Sequence, residues 1–384
     1  MYFLLKDGNR HISAFSFYLF KLLGLAPIGC RFVVVDGHRS VVFSDCKLGT
    51  FHNLLLCGIV LGSVSYRLYY LVGVYATIAE PGILFLICDA AYSSLGIVVV
   101  LLAMCLRQSS LCSLWSLGAN IQRSLPQRRR KNRLHARYTT VVLMIVAQMF
   151  GVLALALNVD IRGLPFAGKI CSVCYMIAYF VVCTQYSMLA RLIADALGQT
   201  SSDLKILLET RRRPPDYLAT LETALGAAQK LYESLIELAD RMADFYSSVM
   251  LPTVARYLVF IASHFYLLSK MLLNEDTRRP EFRIYLGGCL YLFTPILMIS
   301  VLATEAIRQN KKYVKTLTDI LHKFDYHDSI QNQVDVCLRY TFSNRVSFRV
   351  YDLFVIDNSL LLTVIGTSCT SCIILLQLHT PPNE

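Results

Sequence analysis

Seven apolar stretches, each long enough to cross a bilayer, constrain this chain more than any other feature. A helix needs ~20 mostly apolar residues to span the hydrocarbon core. The stretches run from about Phe51 to Val74, Gly82 to Leu106, Tyr138 to Asn158, Pro165 to Leu189, Leu251 to Leu273, Phe282 to Ala303 and Phe354 to Leu378. Backbone polar groups inside a bilayer must be satisfied within the protein, and segments of this length do so as helices. The expected fold class is an all-α integral membrane protein with seven transmembrane helices. Composition agrees: 55% of the 384 residues are hydrophobic and 16% charged, whereas a soluble domain carries ~25% charged residues.

The placement of charge gives the sidedness. Lys and Arg mark the cytoplasmic flanks of spanning helices. Six lie in the N-terminal segment, eight between spans 2 and 3, seven between spans 4 and 5, and eight between spans 6 and 7. The opposite flanks are poor. The connection from Tyr75 to Pro81 has none, and Arg162 stands alone between spans 3 and 4. Lys270, Arg278, Arg279 and Arg283 flank the connection between spans 5 and 6. The N-terminus is expected in the cytoplasm and the C-terminus outside the cell. Met1 to Leu5 is too short an apolar run for a signal peptide.

The same placement disposes of other readings. The net charge of +11 sits between apolar runs as a topology determinant, and no KH, RRM or zinc-finger pattern accompanies it, so nucleic acid is not expected as a partner. Most of the thirteen cysteines lie inside apolar runs, where a free thiol packs as a small hydrophobe. Cys171 and Cys174 have no His at zinc-ligand spacing, so no metal or other cofactor is expected. Walker, His-Glu-x-x-His and Gly-x-Ser-x-Gly patterns are absent, which argues against an enzyme. A G-protein-coupled receptor has its N-terminus outside, and a transporter built of two repeats shows paired broken helices. A metabotropic seven-helix receptor or a membrane transporter remains the alternative.

The connection ahead of span 5 is amphipathic. Leu218, Leu221, Leu225, Ala228, Leu231, Leu235, Leu238, Met242, Phe245 and Val249 recur at helical steps. They suit either packing within one subunit or the core of an assembly. The stripe leads almost directly into span 5, as one long helix would. Arg128 to Arg133 read as topology and headgroup contacts with membrane lipids. His322, Asp325 and His327 read as surface residues.

Span 7 differs from the others in its polar content. It holds Asp357, Asn358, Ser359, Thr363, Thr367, Ser368, Thr370, Ser371 and Gln377. Such residues face protein or water, because facing lipid is unfavourable. Asp357, Thr367, Thr370, Cys372 and Gln377 form no single stripe. A packed interior helix and a helix lining an aqueous pore both fit.

Tyr351-Asp-Leu-Phe-Val-Ile-Asp357-Asn-Ser359-Leu-Leu-Leu, followed by Thr370-Ser371-Cys-Ile-Ile-Leu-Leu-Gln377-Leu378, resembles the C-terminal signature of insect gustatory receptors. That signature carries an Asp, a Ser-x-Leu-like run, then Thr-Tyr, five hydrophobics and Gln-Phe. Ser371 stands where Tyr is usual and Leu378 where Phe is usual, as in a divergent member. Lys21-Leu-Leu-Gly24-Leu-Ala-Pro27 and the stretch from Ala227 to Leu251 are also similar to elements of that family. The motifs cover about 60 residues of the chain.

The resemblance implies an insect chemoreceptor-like channel, ligand-gated and cation-conducting without selectivity, assembled as a homo- or heterotetramer around the last helix. It places the chain in the plasma membrane of gustatory sensory neurons, with a small-molecule tastant as ligand. The divisions then expected are a cytoplasmic N-terminal segment (1–50), helices 1–4 (51–193), a cytoplasmic helical anchor (194–250), helices 5–6 (251–304), a second anchor segment (305–353), a pore-lining helix 7 (354–379) and an extracellular tail (380–384). Gln377 and Leu378 are the expected constriction, since four amides solvate a cation and four Leu side chains close a pore by dewetting. Thr370, Ile373 and Ile374 come next along the pore. For the ligand, Asp89, Tyr92, Gln148, Asn158, Tyr175, His264, Tyr266 and Tyr285 are candidates. Aromatic cavities with few polar groups suit small ligands, although each residue alone also fits helix packing.

Overall fold

Helix length separates the elements of this chain into two kinds. The computed structural model describes residues 18, 20–35, 38–78, 81–125, 166–209, 216–273, 280–324 and 326–379. Among them run β1 (Ile28–Val35), β2 (His38–Asp45), α1 (Lys47–Ile78), α2 (Pro81–Leu106), α3 (Gln108–Ser124), α4 (Phe166–Glu209), α5 (Tyr217–Leu273), α6 (Pro280–Lys323), α7 (Asp328–Ser343), β3 (Arg349–Val350), β4 (Phe354–Val355) and α8 (Asn358–His379). Helices α4, α5 and α6 have 44, 57 and 44 residues. At ~1.5 Å per residue, α5 is roughly 85 Å long, far more than the ~30 Å hydrocarbon core of a bilayer. The long helices therefore carry their apolar spans into a second, polar-ended bundle.

The amphipathic stripe and span 5 are one continuous helix, α5. Pro252 lies inside it and removes one backbone donor. Hydroxyls on either side bond back to carbonyls of the preceding turn: Ser247 to Ala243 at 2.5 Å and Thr253 to Val249 at 2.6 Å. Leu221, Leu225, Leu235, Leu238, Met242 and Val249 are fully buried. The stripe packs inside its own chain. Tyr232 of α5 stacks on Tyr313 of α6 at 5.3 Å, and Tyr340 of α7 meets it edge-on at 6.0 Å. The Tyr232 hydroxyl donates to Asn344 O at 2.8 Å, and burial pushes this phenol up to about 12.

The short Gly/Pro element ahead of α1 is a plug. Gly24 has φ +73, a left-handed conformation, and a Cβ there would lie 2.7 Å from Asn53 Oδ1. Buried side-chain amides from three helices bond to its carbonyls. Asn53 donates to Gly24 O at 2.7 Å, Gln185 to Leu25 O at 3.1 Å and Gln108 to Pro27 O at 2.6 Å. Beyond it, β1 and β2 form an antiparallel hairpin, with Ile28 opposite Asp45. Valine-rich runs favour strands, and these are too short to span a bilayer. The described residues are otherwise mostly helical, as expected, and the remaining strands are the two-residue pairing of β3 with β4.

Four described helices are long and apolar enough to cross a membrane: α1, α4, α5 and α6. A fifth is counted if α2 and α3, which meet at a 74° bend, form one span. The apolar part of α8, Asn358–Ile374, is shorter than the ~20 residues a full crossing needs. Span 3, the basic cluster at 128–133 and the tail at 380–384 lie outside the described residues.

Candidate functional site

The start of α8 explains the Asp of the C-terminal motif. Asp357 precedes the first helical residue, and its Oδ1 accepts the backbone N–H of Ser359 at 2.8 Å. That is the bond of a helix N-cap. The N–H of Asn358 donates to Thr304 Oγ1 of α6 at 3.0 Å, so the helix entrance is tied to its neighbour. The chain reaches this point through β3 and β4, joined at Tyr351 (φ 46) and Asp352 (φ 55). Left-handed backbone is unusual for such residues. Ser247 Oγ of α5 accepts the N–H of Tyr351 at 3.2 Å and fixes the turn.

One face of α8 is committed to packing. Leu360, Val364, Ser368 and Cys372 follow at steps of four and are all at most 7% exposed. At ~100° per residue, the opposite face carries Ser359, Thr363, Gly366, Thr370 and Gln377. All five are exposed in the single chain. Their steps are four, three, four and seven, a signal legible in the sequence but hidden when Asp357 and Cys372 are counted in. Asp357 lies before the helix, and Cys372 belongs to the packed face. The Thr363 and Thr370 hydroxyls donate to Ser359 O and Gly366 O, each at 2.9 Å, and keep acceptor capacity. Ile373 and Ile374 flank this row at 57% and 50% exposure. Ser371 is half-buried. Leu378 lies in the last turn of the helix, one residue before its end at His379, and its side chain is not among the described ones.

A second feature lies inside the bundle, where α2, α4 and α5 meet. Arg256 of α5 is 3% exposed. Its Nε donates to Ser93 Oγ of α2 at 3.0 Å. Its guanidinium carbon lies 4.5 Å from the Tyr179 ring centre, 5.2 Å from Phe260 and 5.6 Å from Tyr257, within cation–π range. Tyr179 of α4 donates to Ser93 O at 2.8 Å. A methyl at Gly96 would collide with that hydroxyl, so glycine permits the close approach of α4 to α2. The sequence signal for Arg256 is a cation set deep in span 5, whereas Lys270 lies near the end of that span.

The expected ligand residues are scattered around this nest. His264, two turns beyond Arg256, is buried and hydrogen-bonds Phe260 O through Nδ1 at 3.0 Å. Tyr175, one turn before Tyr179, is buried with its hydroxyl against Ser63 of α1. Tyr266 is buried, while Tyr92 is 46% exposed on α2. Asp89 and Tyr285 lie in α2 and α6, with side chains not among the described ones, and Gln148 and Asn158 lie outside the described residues. Among the described residues no group of His, Cys, Asp or Glu could hold a metal ion.

Comparison places this architecture. No curated protein sequence matches the chain. The insect olfactory receptor OR5 from Machilis hrabei shares its fold at a TM-score of 0.64 with 14% identity, over 96% of this chain and 98% of that one. The same receptor in complex with eugenol aligns at 0.58 with 13% identity, over 96% and 99% of the two chains. A family model described as 7tm chemosensory receptor matches residues 14–380. An entire fold, a capped last helix with a motif-bearing entrance, and a match across nearly the whole sequence lead to one conclusion: this chain belongs to the seven-transmembrane chemosensory receptor family.

Proposed function

We propose that this receptor is a gustatory ligand-gated cation channel of the plasma membrane of sensory neurons, opened by a small-molecule tastant. The observation that carries the reading is the exposed row Ser359, Thr363, Gly366, Thr370 and Gln377 on α8. A hydroxyl- and amide-bearing face is unfavourable against lipid and favourable around water. Several copies of α8, in a homo- or heterotetramer, enclose a lumen with that row inside. Gln377 and Leu378 form its constriction, with Thr370, Ile373 and Ile374 next along the path. The N-terminus lies in the cytoplasm, seven helices cross, and the C-terminus lies outside. The polar ends of α4 to α7 are the cytoplasmic anchor.

The C-terminal motif supports gustatory over olfactory sensing. The solved relative bound to eugenol supports a small-molecule ligand held inside each subunit. The aromatic nest around Arg256, with Tyr175 and His264 beside it, is the proposed ligand region.

The test is whole-cell current from cells expressing this chain, alone and with other gustatory subunits, against sugars and bitter compounds. A ligand-evoked cation current, with an N-terminal tag accessible only after permeabilisation, is the expected result. Substrate uptake without current, or a tag exposed at the cell surface, overturns the channel.

A further inference from the structure

Arg256 raises a charge-balance problem that the receptor reading does not address. It is buried to 3% in an apolar span, and a cation at such a position requires a counter-charge. Aromatic faces and one hydroxyl solvate it without neutralising it. The ion pairs among the described residues all join other groups, and most sit on exposed helix surfaces.

The register of α2 against α5 indicates where the counter-charge lies. The two helices run antiparallel. Arg107 donates to Asp244 O at 2.6 Å. Further along, Gly96 faces Pro252, where an added Cβ would lie 3.6 Å from the proline Cβ. Next, Ser93 meets Arg256. Going back along α2 while going forward along α5, the following turn sets residue 89 level with residue 260. The ring of Phe260, at that level, lies 5.2 Å from the guanidinium carbon of Arg256. Residue 89 is an aspartate, on the same helix face as Ser93. It is also the one acidic residue in the six apolar stretches between Phe51 and Ala303.

We propose that Asp89 and Arg256 form an ion pair within the membrane-spanning bundle, fastening α2 to α5 beside the Tyr179–Phe260 aromatic nest. The pairing neutralises a guanidinium that is only 3% exposed. It also leaves the nest without net charge, which suits an uncharged ligand. That consequence rests on the receptor reading above, whereas the pair itself does not.

The test uses the full-length chain, fluorescently tagged and detergent-solubilised, and reads its thermal midpoint by size-exclusion chromatography. It needs neither a ligand nor a current, so the channel reading can fail while the pair stands. Asp89→Asn and Arg256→Gln are each expected to lower the midpoint by about 5 °C or more. The double neutral variant falls no further than the worse single one, and the swap Asp89→Arg with Arg256→Asp recovers at least half of the loss. Full additivity of the two single losses overturns the pair. So does an Arg256→Gln loss with an unchanged Asp89→Asn receptor, which would assign the counter-charge to another source such as an anionic ligand. If a single variant yields no folded receptor, the yield of folded protein replaces the midpoint. Return of yield on the swap supports the pair, and its absence on both the swap and the double neutral variant overturns it.

Discussion

The first half of α5 and α8 each bury one face against their own chain, yet their other faces end differently. In α5 the apolar stripe from Leu221 to Val249 is sealed inside its own chain, and Glu237, Asp240 and Arg241 keep to the outside. In α8 only four residues in a line are sealed. Both apolar and hydroxyl side chains remain on its open sides. The first helix is a finished structural element. The second leaves most of its surface uncovered by its own chain, as the proposed pore-lining role requires. Polarity alone does not separate them. What separates them is whether neighbouring elements of the same chain cover the face.

The largest expected effect tests the finished half. Leu235→Ala or Leu238→Ala removes a fully buried side chain, and such truncations cost about 2–5 kcal/mol. A sharp loss of thermal midpoint and of surface expression is expected, and a midpoint near that of the parent breaks the comparison. Asp357→Ala should come next. Loss of an N-cap costs about 0.5–2 kcal/mol, and Asp357→Asn, which can still accept the Ser359 N–H, should recover most of it. Melting curves of both variants check this.

Thr370→Ala and Gln377→Ala should change stability by no more than about 0.5 kcal/mol, as exposed positions do. Their effect is expected in ion permeability ratios and basal leak, recorded in the channel assay. A midpoint lowered as far as by Leu235→Ala would mean that this face packs rather than lines. The smallest effect is chemical. Burial raises the Cys337 thiol to about 11, so almost none of it is thiolate at pH 7.5. A maleimide should leave Cys337 of α7 untouched until the receptor is heated, and should reach the exposed Cys369 of α8 first. Mass spectrometry of the labelled peptides gives the order.

Much of this was legible in the sequence because it is local. Continuity of α5 through Pro252 followed from an unbroken helical period, and burial of its stripe from steps of three and four. The C-terminal motif identified the family from a handful of residues. The β-hairpin at Ile28–Asp45 was not foreseen, because the segment was read for its charge and not for its valine runs. The full row on α8 was also missed. Asp357, outside the helix, and Cys372, on the packed face, obscure its period in the sequence.

The sequence by itself determined which segments are apolar enough to enter a membrane and where the charges between them lie. Those follow from hydrophobicity and the order of residues along the chain. Only the tertiary structure decided which face of α8 is covered and which is left open. It also brought Ser93, Tyr179 and Arg256 together from three helices. Such contacts depend on the register between elements more than 70 residues apart, and no local pattern encodes that register. A cation inside a span is visible in the sequence, but its surroundings come from packing.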